Sequence, residues 1–164
     1  MPGTVTAVAK IAYVGNDNGE AEPYNHGLAL ALSNANGGNN CQWKTSMSDA
    51  GHTKQENSDF TSESGLQYNT IHNTDEYPAF KAAIAYNGAS TPTGCSAWFL
   101  ASGYQWKQMA NAVGGYNKLG LNQGHYWSSS DGSEPNAWKF LSINGVWDNL
   151  DKDNGYLVRS CLAF

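Results

Sequence analysis

Arginine is almost missing: Arg159 is the single one in 164 residues. Binding a nucleic-acid backbone takes clustered Lys and Arg. With 9 Lys+Arg against 14 Asp+Glu and a net charge of −5, the chain lacks that footprint, and no nucleic-acid partner is expected. Charge of either sign is scarce at 14%, against about 25% in an average domain. Cysteine is limited to Cys41, Cys95 and Cys161, with no CxxC pair and no Cys/His zinc spacing. At least one thiol is unpaired, and one disulfide stays open for an oxidising compartment. No run of 18 apolar residues exists, so no membrane span is expected. The start, Met1-Pro2-Gly3-Thr4, has neither the basic nor the apolar region of a secretory signal. Motifs for phosphate loops, serine hydrolases, zinc peptidases and EF-hands are all absent.

What the chain has instead is neutral polarity and rings. It contains 18 Asn, 18 Gly and 15 Ser, with 6 Trp and 9 Tyr. Hydrophobic residues at 40% suffice for a core, and a chain this long buries roughly 70% of its unfolded surface. Residues 1–164 read as one domain. Low charge with many Asn, Gly and Tyr implies long ordered loops and suits a binding surface.

Hydrophobic patterning predicts an α+β chain. Thr4 to Val14 reads as a strand with Val5, Ala7, Ala9, Ile11 and Tyr13 on one side. His26 to Ser33 has buried-strand length, and Asn34 to Asn40 is a turn. Residues 44–73 are polar and aperiodic, a long loop with room for a short helix. A helix is predicted from Glu76 to Tyr86 on Tyr77, Phe80 and Ile84, with Thr74 or Asp75 capping it and Asn87-Gly88 ending it. A second starts at the capping box Ser102-x-x-Gln105, continues through Trp106, Met109, Ala110 and Val113, and stops at Gly114-Gly115. From Tyr126 the chain returns to strands, with a hairpin at Asn144-Gly145. Residues 148–156 read as a polar loop, and Leu157 to Phe164 as a closing strand.

The candidate chemistry in this pattern is thin. His26 and His125 flank apolar runs and read as core residues, and no histidine has ligand spacing. Ser128, Ser129 and Ser130 read as hydroxyls that satisfy strand-end backbone groups, with no base in sight to activate one. Asp148, Asp151 and Asp153 read as a solvated acidic loop, without the ordered spacing of a calcium motif. No cofactor is expected, and no catalysis.

Five segments in order carry a resemblance. His26-Gly27-Leu28-Ala29-Leu30-Ala31-Leu32 and Tyr77-Pro78-Ala79-Phe80-Lys81-Ala82-Ala83 come first. Ala97 to Trp106 (AWFLASGYQW) is similar to the segment GWYLPSAGQW of a C-type-lectin-fold family. Tyr126-Trp127-Ser128-Ser129-Ser130 resembles its YWSSTE. Ala137-Trp138, Gly145 and Val158-Arg159-Ser160-Cys161-Leu162-Ala163-Phe164 resemble its AW…G…VRPVLAF tail. The match runs from about residue 26 to the end, and departs at Ala101 and Ser160, where the family has proline. The nearest likeness is to the variable proteins of diversity-generating retroelements. In those systems a reverse transcriptase miscopies the adenines of a template repeat, and the altered copy replaces the 3′ end of a target gene.

The resemblance implies a C-type-lectin-like α+β fold: two helices, antiparallel strands and long loops. It implies a ligand-binding protein of phage-tail or bacterial-surface type, extracellular or on a virion. The partner would be a protein or glycan receptor on a cell surface. Its variable region would span about 126–164, with the ligand meeting Asp131, Ser133, Glu134, Asn136, Lys139, Leu141, Ile143, Asn144, Val146, Asp148, Leu150, Asp153, Asn154, Gly155 and Leu157. Trp138, Phe140 and Trp147 would anchor the core. By period 2, Lys139, Leu141 and Ile143 share one face, and two apolar residues beside a lysine on an exposed face suit a binding patch. Arg159 would be structural, pairing through its fork with a carboxylate or with backbone carbonyls. Oligomeric state stays open, as no heptad is present.

Two other relatives of the fold compete. Glu134-Pro135-Asn136 is similar to the EPN triplet of calcium-dependent lectins. Trp147-Asp148-Asn149 resembles their WND with two residues exchanged, although the cysteine pairs of those lectins cannot be completed here. The formylglycine-generating enzymes need a cysteine pair or copper-binding thiols, for which Cys41, Cys95 and Cys161 show no pattern.

Overall fold

A computed structural model describes residues 6–86 and 90–164. The apolar run after His26 forms β2 (Gly27–Ala31), buried along its length. Leu28 and Leu30 enter one cluster with Trp106 and Phe140, while Ala29 and Ala31 enter another with Trp98 and Leu162. Covering both faces requires an unbroken apolar sequence, which is why this strand shows no alternation. β1 (Ala9–Val14) pairs with one edge of β2. β9 (Ser160–Ala163) pairs with the other, and β4 (Phe99–Leu100) completes an antiparallel sheet in the order β1-β2-β9-β4. β1 departs from its predicted phase. A register shift between Ile11 and Tyr13 inserts one residue, so that Ala12 and Tyr13 both pack on the Trp106 cluster, while Ile11, just before it, is exposed. Thr4 and Val5, where that strand was expected to begin, lie outside the described residues.

Among the described residues three α-helices form, one more than the sequence pattern predicts. α3 (Gly103–Val113) has the expected capping box, and Gly114 closes it at φ 86°. Trp106, Met109 and Ala110 are its buried stripe. α2 (Pro78–Ile84) is shorter than predicted. Neither Thr74 nor Asp75 caps it with a side chain: Tyr77 holds the cap position and Pro78 takes the first helical position, where no N–H is missed. Asn87-Gly88, expected to end it, lies outside the described residues. α1 (Gly65–Ile71) occupies the segment that reads as loop. Its buried residues are Gly65 and Asn69 while Ile71 is exposed, so hydrophobic periodicity carries no trace of it. Its one sequence signal is Ser64-x-x-Gln67, realised as Gln67 N–H donating to Ser64 Oγ at 2.9 Å.

The C-terminal part forms β5 (His125–Asp131), β6 (Asn136–Leu141) and β7 (Trp147–Asp151) as one antiparallel sheet. β8 (Gly155–Tyr156) pairs with β3 (Cys41–Gln42). Residues 148–156 are therefore mostly strand, not loop. Their polarity belongs to a sheet edge, where Asp148 and Asp151 reach solvent.

Residues 43–77 pack through polar groups. Lys44 is buried, and its ammonium donates to Ser48 Oγ at 2.8 Å and Asp49 O at 2.7 Å, 3.3 Å from Glu76. His52 and His72 lie in an aromatic box, His52 stacked on Tyr68 at 3.7 Å and His72 on Tyr77 at 3.9 Å. The buried histidines are thus these two; His26 is exposed and His125 half-buried. Among the described residues no well-placed hydrogen-bond partner reaches either ring nitrogen of His52. Burial lowers its pKa to about 3, and lowers that of His72.

Candidate functional site

The site is built on rings. Phe140 is fully buried against Trp106, Tyr116 and Tyr126. Trp138 packs on Phe60, and its indole donates to Gln55 O at 2.9 Å. Trp147 was expected in the core; it is half-buried at the rim, its indole donating to Tyr116 Oη at 2.7 Å. With these side chains turned inward, the opposite parity of β6 forms the other face.

That face gathers Lys139 and Leu141 from β6 with Asp148 and Leu150 from β7. Register pairs Lys139 with Asp148 and Ala137 with Leu150. Lys139 is not exposed as expected. Its stem is buried, with the ammonium 3.6 Å from Asp148 Oδ2 and 5.6 Å over the Tyr156 ring. The same ammonium lies 3.2 Å from His125 Nδ1. Lysine offers only donors, so Nδ1 accepts and the imidazole is neutral with its proton on Nε2. Burial and then Lys139 lower the pKa of His125. His125 and Tyr156 belong to this face, although the sequence pattern starts the strand one residue later and puts Tyr156 in a loop. Alternation of His125 with Tyr126 is the signal that could have found it.

Ile143 is not on the strand face with Lys139 and Leu141, because β6 ends at Leu141. It lies in the hairpin tip with Asn144 and Val146. Ile143 is 50% exposed and Val146 58%. The tip is ordered from within: Gly145 N–H donates to Leu141 O at 2.8 Å, and Asn144 Oδ1 accepts from Val146 N at 3.1 Å. Gly145 at φ 69° sits directly on the Tyr116 ring, leaving no room for a side chain.

Ser133, Glu134, Asn136, Asp153, Asn154 and Gly155 lie at the other end of the hairpin, near the pair Asn136–Asp151. Four strand steps separate that pair from Phe140–Trp147, about 14 Å. The expected positions thus form a tip group and a root group, joined by the Lys139 face. At the root, Glu134 Oε1 accepts from Asp49 N at 3.1 Å, and Asn136 Nδ2 donates to Asn149 Oδ1 at 2.9 Å. Among the described residues no three of His, Cys, Asp and Glu gather closely enough to hold a metal ion.

Besides Lys139, two expected site residues pack into the protein. Asp131 is fully buried: Oδ1 lies 2.7 Å from the ammonium of Lys152, itself fully buried, and Oδ2 lies 2.6 Å from that of Lys54. A carboxylate between two ammonium groups is a structural tie. Leu157 is half-buried on the core, with its backbone bonded to His125 and Trp127. The three serines are also inside. Ser128 Oγ donates to Trp138 O at 2.9 Å and Ser130 Oγ to Glu63 Oε2 at 2.6 Å. All three cysteines are free thiols, and burial pushes that of Cys41 up to about 12.

No family model matches the chain, and no curated protein matches it. No helix among the described residues is long and apolar enough to cross a membrane.

Proposed function

We propose that the chain is a ligand-binding protein whose C-terminal strands present a surface diversified by a retroelement on a C-type-lectin-like scaffold. The ligand is a protein or glycan receptor, and the setting is a cell surface or a phage virion. Binding, not catalysis, is the activity. The observation that carries this reading is the hairpin tip. Ile143 and Val146 stand in solvent on a backbone that Phe140, Trp147 and Tyr116 hold in place. Aliphatic side chains gain nothing from solvent, and a partner that covers them gives them a role.

The placement of the resembling segments lends support. They lie far apart in sequence and meet in the fold. Ser129 N–H donates to Ala101 O at 2.9 Å, Leu100 is paired with Ser160, and Leu28 with Ala163. The segments that carry the resemblance thus pack against one another in one scaffold.

The test is the DNA that flanks the gene. The expected result is a near-repeat of the codons for Tyr126 to Phe164, differing mainly at adenines, beside a reverse-transcriptase gene. A flank without such a repeat overturns the diversification reading.

A further inference from the structure

Arg159 was expected to pair with a carboxylate or with backbone carbonyls. It is buried, and its three hydrogen-bond partners are neutral. Nε donates to Asn34 Oδ1 at 2.8 Å, Nη1 to Ala31 O at 2.8 Å and Nη2 to Asn122 Oδ1 at 3.2 Å. Among the described residues no carboxylate forms an ion pair with it. Buried charges are ordinarily paired, so this one stands out in the molecule. The buried Lys152 has Asp131, and the buried Lys44 has Glu76.

The guanidinium also sets the direction of two amides. It has donors and no acceptor, so Asn34 and Asn122 must each turn Oδ1 toward it and NH2 away. The Tyr126 hydroxyl donates to Asn34 Oδ1 as well, at 3.0 Å, and holds the same orientation. Both asparagines line a cleft of about 670 Å³ between the turn after β2 and the end of α2. Its wall includes Ser33, Asn36, Ala82 and Tyr86 and, among the described residues, no charged side chain. Neither outward NH2 group has a protein acceptor among the described residues. Hydrogen bonds from a cation polarise the amides that accept them, so the charge of Arg159 strengthens these donors.

We propose that this cleft binds a small hydroxylated carboxylate of sugar-acid size, with the carboxylate received by the amides of Asn34 and Asn122. One negative charge answers one buried positive charge, and two carboxylate oxygens answer two amide donors. The volume lies within the range of small-ligand sites. The Tyr86 ring and the Ser33 hydroxyl, hydrogen-bonded to each other at 3.0 Å, suit the hydroxylated body of such a ligand. The cleft shares no residue with the hairpin surface, and the proposal does not depend on what that surface binds.

The test uses the full chain, with glucuronate and glucose as probes, by calorimetry at pH 7 and low salt. Asn122→Asp keeps an oxygen toward Arg159 and puts a negatively charged oxygen where the outward NH2 was. The wild-type chain is expected to bind glucuronate at least about tenfold more tightly than glucose, and Asn122→Asp to lose at least about tenfold of that affinity. The same variant is expected to melt higher than wild type, because it gives Arg159 a counter-charge. Absence of glucuronate binding overturns the site. Equal binding of the two probes overturns charge recognition, and unchanged affinity in Asn122→Asp overturns the placement of the carboxylate. Failure of both Asn122→Asp and Asn34→Asp to raise the melting temperature overturns the premise of an uncompensated cation.

Discussion

Residues 43–77 put charge inside, whereas the β6–β7 hairpin puts aliphatic side chains outside. In the first, Lys44, His52, Glu63 and His72 are buried, and the segment is tied to the strands through Lys54, Asp131 and Lys152. In the second, Ile143 and Val146 face solvent although Phe140, three residues before Ile143, is fully buried. The difference is one of tolerance. A buried ion pair holds one arrangement and punishes the loss of either partner, because the other charge is left in a medium that cannot solvate it. A side chain already in water has little to lose when it is exchanged. Residues 43–77 are therefore a brace that substitution breaks, and the hairpin tip is a surface that substitution changes.

The largest effect that sharpens this contrast is expected at Asp131. Asp131→Ala leaves Lys152 buried without its partner and should cost about 3–5 kcal/mol in urea unfolding. Adding Lys152→Met should recover a large part of that loss, since an apolar pair of similar volume needs no counter-charge. A single variant as stable as wild type would break the idea of a brace.

Within the hairpin, Phe140→Ala should also cost about 3–5 kcal/mol, as the ring is fully enclosed. Trp147→Ala should cost less, about 2 kcal/mol, because that ring is only partly buried. Equal losses at the two positions would show that the rim supports the fold as strongly as the centre does.

Acid should act on the brace before the hairpin. His52 has a folded pKa of about 3 against about 6.5 when unfolded. With the folded value lowered, its contribution is whole above pH 6.5 and is lost as pH falls toward 3. The expected slope is about 1.4 kcal/mol per pH unit below 6.5. His52→Phe keeps a ring against Tyr68 and removes the proton site, so its urea midpoint should depend less on pH over 6.5–5. An unchanged slope would assign the acid sensitivity elsewhere.

The smallest stability effect is expected at the tip. Ile143→Ser and Val146→Ser should each stay within about 0.5 kcal/mol of wild type. Both should weaken capture of a receptor that wild type binds, measured once flanking DNA or a ligand screen has identified one. A large loss of stability would mean that these side chains serve the fold.

Much of the scaffold was legible in the sequence. Ser102-x-x-Gln105 with Trp106, Met109 and Ala110 named α3, since capping and stripe are local properties of consecutive residues. The apolar run of β2 and the Asn144-Gly145 hairpin were readable for the same reason. α1 was not, because its buried residues are Gly65 and Asn69, whose value lies in close approach and in hydrogen bonds to Leu100. Of β7 only the start was, at Val146-Trp147, because the rest of an edge strand can be as polar as a loop. Of the expected site, Lys139, Leu141, Asp148 and Leu150 do share a face. The burial of Asp131 was hidden, because its two ammonium partners lie 77 and 21 positions away, at Lys54 and Lys152.

The order of apolar, turn and capping residues along the chain determined the local elements, because those preferences are decided between neighbours within a turn or two. It also determined that the surface would be neutral and rich in amides, since the chain has little charge to put there. Only the tertiary structure decided which of its few charges would go inside and what would face them. Ion pairs and the orientation of an amide depend on distances of a few ångströms between residues far apart in sequence. The buried pair of Asp131 and Lys152, the box around His52, and the cleft backed by Arg159 all exist through such meetings.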